Sequence, residues 1–319
     1  MRRWLKISIG VFLMTIFAAI GLLYIYGPNF NVYLWPPSAE RYGMNALDKL
    51  NKYGYFSDTD NWKSQYQNAA KEMKSVKNYN QADIVLKKVV SHAGGKHSKI
   101  VTTQETKKQQ HYEDPEFRFE DSLLIIHEPQ FTGNANQANN YANKINSYIF
   151  KHKHEIKGVI LDLSNNNGGD MAPMILGISS LIPDGNIFSF IFPNSNTEKI
   201  ILDKGSLNAG EGTVSLKNHG KINNVKIAVI INKMTASSGE FTALAIKSSS
   251  RVKFFGENSA GYTSVNQSFP LYSGTTINLT VGGVKDITNK EYFNTPITPD
   301  VRTNEPYKLA SQWISSQNE

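Results

Sequence analysis

Residues 228–240 read AVIINKMTASSGE, and the fold turns on how this stretch is read. Ala228 to Ile231 form an apolar run that breaks at Asn232-Lys233. Short apolar runs of this kind mark strands buried on both faces. Thr235, Ala236, Ser237, Ser238 and Gly239 then lead into Glu240 to Lys247, predicted as a helix. A turn of small hydroxyl residues between strand and helix is where an α/β protein can present a nucleophile. The helix N-terminus adds unpaired N–H groups and partial positive charge. Two readings stand at this point. Ser237 is a nucleophile, or Thr235 with Ser237 or Ser238 only caps the helix.

Upstream, the pattern occurs once more. Gly158 to Leu163 (GVILDL) is a strong buried strand, Ser164 to Asp170 form a Gly-rich turn, and Met171 to Ile182 follow as a helix. Two such units imply parallel βαβ architecture, with sites at the carboxyl ends of the strands. Gly168-Gly169 either brings a backbone N–H close to a substrate, with no Cβ in the way, or simply makes a tight turn. Further strands are expected at Phe188 to Phe192, Lys253 to Gly256, Ser268 to Leu271 and Thr276 to Val281, and a closing helix at Tyr307 to Ser316. The fold class is therefore α/β (α+β), with a mixed, partly parallel sheet and flanking helices in the core.

The first third of the chain reads differently. Arg2, Arg3 and Lys6 precede an uncharged run from Ile7 to Tyr26, long enough to cross a bilayer as a helix. No small-x-small cleavage site ends it, so an uncleaved anchor is expected ahead of the alternative, a cleaved signal, with residues after about 28 facing outward. Tyr24, Tyr26, Tyr33 and Trp35 suit an interfacial aromatic belt. Helices are expected at Ala39 to Tyr53, at Trp62 to Met73 and from Asn80. The expected organisation is an anchor over residues 1–28, a linker and small helical domain over 29–92, and a core over 93–319. Residues 104–122 are expected as a polar loop or flap.

Composition limits the chemistry. The 319 residues include no cysteine, which removes disulfides, thiolate catalysis and Cys-type zinc sites. Net charge is +7, yet no basic block stands out, so an anionic surface such as a membrane or cell wall is the expected partner and nucleic acid is not. The seven histidines (His92, His97, His111, His127, His152, His154 and His219) show no metal-binding spacing, and neither a metal nor a cofactor is expected. Gly-x-Ser-x-Gly, His-Glu-x-x-His and phosphate-binding Gly-rich motifs are absent. What remains is acyl transfer: a hydroxyl nucleophile, a base, and N–H donors for the oxyanion. Ser237 can attack, and His97, on the loop after Gly94-Gly95, can take its proton. Ser238 N–H and an N–H from Gly168 or Gly169 can hold the oxyanion.

The order GVILDLSNNNGG, AVIINKMTASSGEFTALAIKSSSRVKFFGENSAG and PITPDV resembles the core of the C-terminal processing (tail-specific) serine peptidases, over about residues 80 to 305. By that resemblance the serine after Thr-Ala, here Ser237, is the nucleophile. The tail-specific branch takes its base from a lysine in Gly-Lys-Gly, where this chain has Gly261-Tyr262-Thr263. The tricorn-like branch uses a histidine ahead of the sheet, and Gly95-Lys96-His97-Ser98 is similar to its segment. That ranks His97 over His127 and implies a Ser–His dyad. Glu240 is assigned to the helix start or to a structural hydrogen bond.

The stretch between His97 and Leu123 has no room for the family's usual PDZ domain. The compact, anchored pattern resembles the lantibiotic-resistance branch of the family in Gram-positive bacteria. This implies an outward-facing peptidase that cuts the C-terminal tail of a nisin-like lantibiotic. Two alternatives are a general C-terminal processing peptidase of the cell surface and a non-catalytic lantibiotic-binding immunity protein. Such a peptide is itself cationic, so recognition falls to groove shape and local groups, for which Glu291, Asp170 and Thr235 are the candidates.

Overall fold

The computed structural model describes residues 2–103, 105, 113–193, 196–209 and 214–316. The chain forms two compact units, residues 1–105 with 266–280, and residues 106–265 with 281–319.

The first unit opens with helix α1 (Arg2–Tyr26), followed by a 3-10 turn, Gly27–Phe30. The stretch Ile7–Phe30 is long and apolar enough to cross a membrane, and its hydropathic window has none of its surface buried. The Arg41 guanidinium sits 3.6 Å from the Tyr24 ring centroid, and the Tyr24 and Trp35 rings are 5.5 Å apart. Helices α2 (Ala39–Tyr53), α3 (Asp60–Met73) and α4 (Tyr79–Gly94) start at Ser38, Thr59 and Asn78, whose side chains each accept a backbone N–H of the first turn. They bury Leu47, Leu50, Trp62, Met73 and Leu86. Gly43 allows α2 and α3 to touch, because a Cβ there would lie 2.1 Å from Met73 Sδ.

Residues 266–280 join this unit. Tyr42 OH donates to Asp83 Oδ1 at 2.5 Å, and Thr275 donates to Asp83 Oδ2 at 2.8 Å. Strand β1 (Lys99–Val101) pairs antiparallel with residues 276–278. Trp62 is fully buried and its Nε1–H donates to Asn51 at 2.9 Å. Trp62→Ala is expected to cost about 3–5 kcal/mol of stability, read as a lowered denaturant midpoint.

In the second unit a six-stranded sheet runs in the order β13 (Val301–Arg302), β9 (Val252–Gly256), β8 (Lys226–Ile231), β4 (Gly158–Asp162), β3 (Leu123–His127) and β2 (Glu116–Glu120). All neighbours are parallel except β2 and β3. Both faces are covered, which explains the unbroken apolar runs. Leu124, Ile126, Val159, Leu161, Val229 and Ile231 pack towards helices α5 (Ala135–Lys151), α6 (Met171–Gly177) and α7 (Ser238–Ile246). Ile160, Ala228, Ile230 and Phe255 face the other way, onto Ala310, Trp313 and Ile314 of helix α8 (Pro306–Ser315).

A second, antiparallel sheet holds β5 (Gly185–Ile191), β6 (Thr197–Asp203), β7 (Ser206–Leu207) and residues 283–286 of β11 (Thr276–Asp286). Phe188 and Phe190 pack on Phe241 of α7 at 5.8 and 5.6 Å between ring centroids.

The α/β class and the partly parallel sheet are as expected. Within the expected flap, residues 104 and 106–112 lie outside the described residues, and Glu116–Glu120 is a strand rather than a loop. Its alternation Phe117-Arg118-Phe119 carries the period of two that marks a half-buried strand. The helix expected to reach Ile182 stops at Gly177, followed by a 3-10 turn over Ser179–Leu181.

Candidate active site

The stretch after β8 is a tight, over-determined turn. Asn232 N–H donates to Thr235 Oγ1 at 3.0 Å, and Thr235 Oγ1 donates to Leu163 O at 2.8 Å. Thr235 is fully buried. Its side chain therefore holds the turn. Ser237 follows with φ 53° and ψ −118°, a left-handed conformation that costs a non-glycine residue about 1–3 kcal/mol. It persists because both of its backbone groups are held. Its N–H donates to Glu240 Oε2 at 2.9 Å, and its carbonyl accepts Phe241 N–H at 3.0 Å. The side chain is half-buried and stands at the N-terminus of α7.

Glu240 organises this region, as the sequence reading assigned it. It is fully buried, and its carboxyl group accepts the Ser259 hydroxyl and the N–H groups of Ser237, Gly261 and Tyr262. Burial pushes its pKa up, and these four donors work against the shift by favouring the carboxylate. Gly261-Tyr262, in the place of the tail-specific lysine, thus shares Glu240 with the backbone N–H of Ser237.

The glycine turn after β4 meets the serine turn directly. A Cβ on Gly168 would stand 2.9 Å from Ser237 Cβ and 3.0 Å from Ser238 N. Only glycine leaves that space open, and Gly168 has φ +100° besides. Ser238 opens the helix, so its N–H has no carbonyl within the helix to bond. Ser238 Oγ donates to Gly169 O at 2.6 Å and ties the two turns together. Gly168 N–H, in contrast, is taken by Asn166 Oδ1 at 2.9 Å. Gly169 N–H has no such partner among the described residues.

Asn166 was missed by the sequence reading. It is fully buried, its carbonyl accepts Ala236 N–H at 2.9 Å, and its Nδ2 donates to Glu128 O at 2.9 Å. It therefore binds the glycine turn, the serine turn and the end of β3 with one side chain and one carbonyl. Asn166→Ala is expected to lower kcat about tenfold or more with KM within about twofold, and to lower stability as well, since the glycine turn and the end of β3 each lose a buried bond. Steady-state hydrolysis separates the two constants. The signal in the sequence is the second Asn of Ser-Asn-Asn-Asn-Gly-Gly, two residues before the first glycine, a spacing suited to an Asx turn.

The remaining candidates are Asp170, Glu291 and the histidines. Asp170 caps α6, accepting Ala172 N–H at 3.0 Å. Glu291 is exposed on the two-residue strand β12 (Glu291–Tyr292), opposite Lys285 of β11. His97 belongs to the first unit, between α4 and β1. Gly95, with φ 81°, ends the helix, and Ser98 N–H closes a turn onto Gly95 O at 3.0 Å. His97 O accepts Asn266 Nδ2 at 3.0 Å, and its side chain is half-buried. His127 is committed differently. Its Nδ1 lies 3.0 Å from Asp162 Oδ2, and Asp162 also accepts Tyr307 OH from α8 and Ser164 N–H at 2.8 Å. Strand alternation puts His127 and Asp162 on the α8 face of the sheet, while Ser237 begins the helix on the other face. The bond to Asp162 raises the His127 pKa against the opposing effect of burial. Burial alone would raise the pKa of Asp162, but the bonds from His127, Ser164 and Tyr307 hold it below the usual range. Glu128 is fully buried, neither carboxyl oxygen has a hydrogen-bond partner among the described residues, and burial pushes its pKa far up. Among the described residues no group of three His, Asp or Glu side chains could hold a metal ion.

A strained serine at a helix N-terminus, faced by a glycine turn on a parallel sheet, is an arrangement suited to acyl transfer. Residues 122–303 match peptidase family S41, and the chain belongs to that family of serine peptidases. The chain is 41% identical to the nisin-resistance protein of Lactococcus lactis subsp. lactis over 300 residues, covering 93% of this chain and 94% of that protein. Among solved structures it resembles a lipoprotein from Streptococcus agalactiae, with TM-score 0.80 and 33% identity, covering 89% of this chain and 98% of the other. It shares its fold with the photosystem II D1 C-terminal processing protease, with TM-score 0.54 and 12% identity, covering 89% and 98% of the two chains.

Proposed function

We propose that this chain is a membrane-anchored serine peptidase, facing outward, that removes the C-terminal tail of a nisin-like lantibiotic. The observation that carries the reading is the strained Ser237, with Ser238 N–H beside a glycine turn that no Cβ obstructs. The 41% identity to a nisin-resistance protein supports the substrate class. The apolar Ile7–Phe30 behind Arg2, Arg3 and Lys6 supports the anchor and its orientation.

In this mechanism His97 takes the proton of Ser237 Oγ as the oxygen attacks the peptide carbonyl. The tetrahedral oxyanion is held by Ser238 N–H and Gly169 N–H. His97 then gives its proton to the leaving amine, and the tail departs. Water, deprotonated by His97, attacks the acyl-enzyme and frees the shortened peptide and Ser237.

The test is incubation of the full chain in detergent with nisin and with an unrelated unstructured peptide, read by mass spectrometry. The expected result is a shortened nisin plus its tail, with the other peptide untouched. Cleavage of both would replace the lantibiotic assignment with general C-terminal processing. Intact nisin bound to the protein would replace the peptidase with a sequestering immunity protein.

A further inference from the structure

The three helices α2, α3 and α4 take no part in the proposed chemistry. Where the chain leaves α1 to enter them, it carries a run of exposed apolar side chains. Phe30 is 79% exposed and Trp35 is 56% exposed, with Val32 and Leu34 exposed between them. Single exposed apolar residues are ordinary, but such a run beside a helix long enough to cross a bilayer is a patch.

We propose that the first unit is seated on the outer surface of the membrane that α1 spans, with Phe30, Val32, Leu34 and Trp35 among the lipid headgroups and Tyr272 beside them. The proposal rests on the anchor reading above and extends it from one helix to a folded surface.

Three observations support it. First, the chain does not pass from α1 to α2 through a free tether. Gly27 and Pro28 are buried, and Val32 N–H donates to Gly27 O at 2.9 Å. Lys49 Nζ of α2 donates to Asn29 O at 3.2 Å, and Tyr79 OH of α4 donates to Pro37 O at 2.7 Å. Second, the start of α2 lies level with the last turn of α1. The Arg41 guanidinium, in the first turn of α2, donates to Tyr24 O and lies over the Tyr24 ring, against which Trp35 also packs. Tyr24 falls inside the apolar stretch Ile7–Phe30, so a bilayer around that stretch reaches Trp35 and Arg41. Third, the residue types suit that depth. Trp and Tyr settle at the headgroup level, where an apolar ring and a polar edge are both accommodated. A guanidinium at that level suits lipid phosphate. Tyr272 brings the same chemistry from far along the chain. Its partly exposed ring stands 5.0 Å from Tyr33 and 5.8 Å from Tyr79.

The occupant is lipid rather than a protein partner, because the patch is continuous with the helix that the bilayer surrounds. A protein would have to displace the lipids around the end of α1 to reach it.

The experiment reads tryptophan quenching by brominated lipids, with the full chain in vesicles of phosphatidylcholine and phosphatidylglycerol. Trp4, at the other end of α1, is replaced in a Trp4→Phe protein, which leaves Trp35, the fully buried Trp62 and Trp313. The Trp35 signal is the difference from a protein that also carries Trp35→Phe. Bromine near the headgroups is expected to lower it about twofold, and bromine at the chain ends to lower it less. In the double variant carrying Tyr272→Trp as well, shallow bromine is expected to quench the added indole too. An unquenched Trp35 in protein that stays on floated vesicles after an alkaline wash would overturn the seating and leave the anchor standing. Quenching of Trp35 with none at position 272 would confine the contact to the flank of α1 and overturn the seating as well. Release of the protein by the wash would remove the anchor reading, and this one with it. None of these outcomes touches the peptidase chemistry, which stands or falls on cleavage.

Discussion

Ser237→Ala is expected to abolish peptide hydrolysis, by at least about 10³-fold in kcat, while leaving the fold intact. Alanine carries the same left-handed strain as serine, so the strained turn is not relieved by the change. The bonds that hold the turn use the backbone of Ser237: its N–H to Glu240 and its carbonyl to Phe241. Removing Oγ takes away the attacking atom and little else. Mass-spectrometric rates measure the loss, and a thermal melt within a few degrees of the parent shows that the fold survives. Undiminished hydrolysis by the purified variant would remove Ser237 from the mechanism.

The two histidines are expected to part company. His97→Ala should lower kcat by about 10²–10⁴-fold, the range for a lost general base. His127→Ala should leave kcat within about twofold and act on stability instead. The sign follows from the pair it forms with Asp162. The folded pKa of His127 is raised, so its contribution is full below the unfolded value of about 6.5 and fades as pH rises through the folded value. The folded pKa of Asp162 is lowered, so its contribution is present above the ordinary carboxylate range and fades as pH falls through the folded value. The pair is worth most in the mildly acidic window between them. His127→Ala should therefore destabilise the protein more at pH 5.5 than at pH 9, read by urea denaturation at both. The reverse ranking in kcat would move the base to His127.

Much of this site was legible in two strand-turn-helix patterns. Buried parallel strands need apolar residues throughout, and tight turns need small ones, so GVILDLSNNNGG and AVIINKMTASSGE stand out locally. What was not legible depends on partners far away in the chain. Glu240 reads as a helix-start acid, and only folding shows that it gathers Ser259, Gly261 and Tyr262, about twenty residues on. Thr235 looks like an exposed turn hydroxyl until Leu163 O is found beneath it. His127 and Asp162 share a face only through the parallel register of β3 and β4. The grouping of residues 266–280 with the N-terminal helices rests on Asp83, a buried acid that no local pattern connects to Thr275. The antiparallel sheet was glimpsed as separate strands, because its β5–β11 pairing joins residues almost a hundred positions apart.

The nucleophile can be read most directly by covalent trapping. The full chain is treated with a fluorophosphonate, which phosphonylates an activated serine, and the adduct is mapped by peptide mass spectrometry. One adduct is expected, on Ser237, formed more slowly in His97→Ala and lost in Ser237→Ala. An unmodified Ser237 in a protein that goes on cleaving peptide would contradict the assignment.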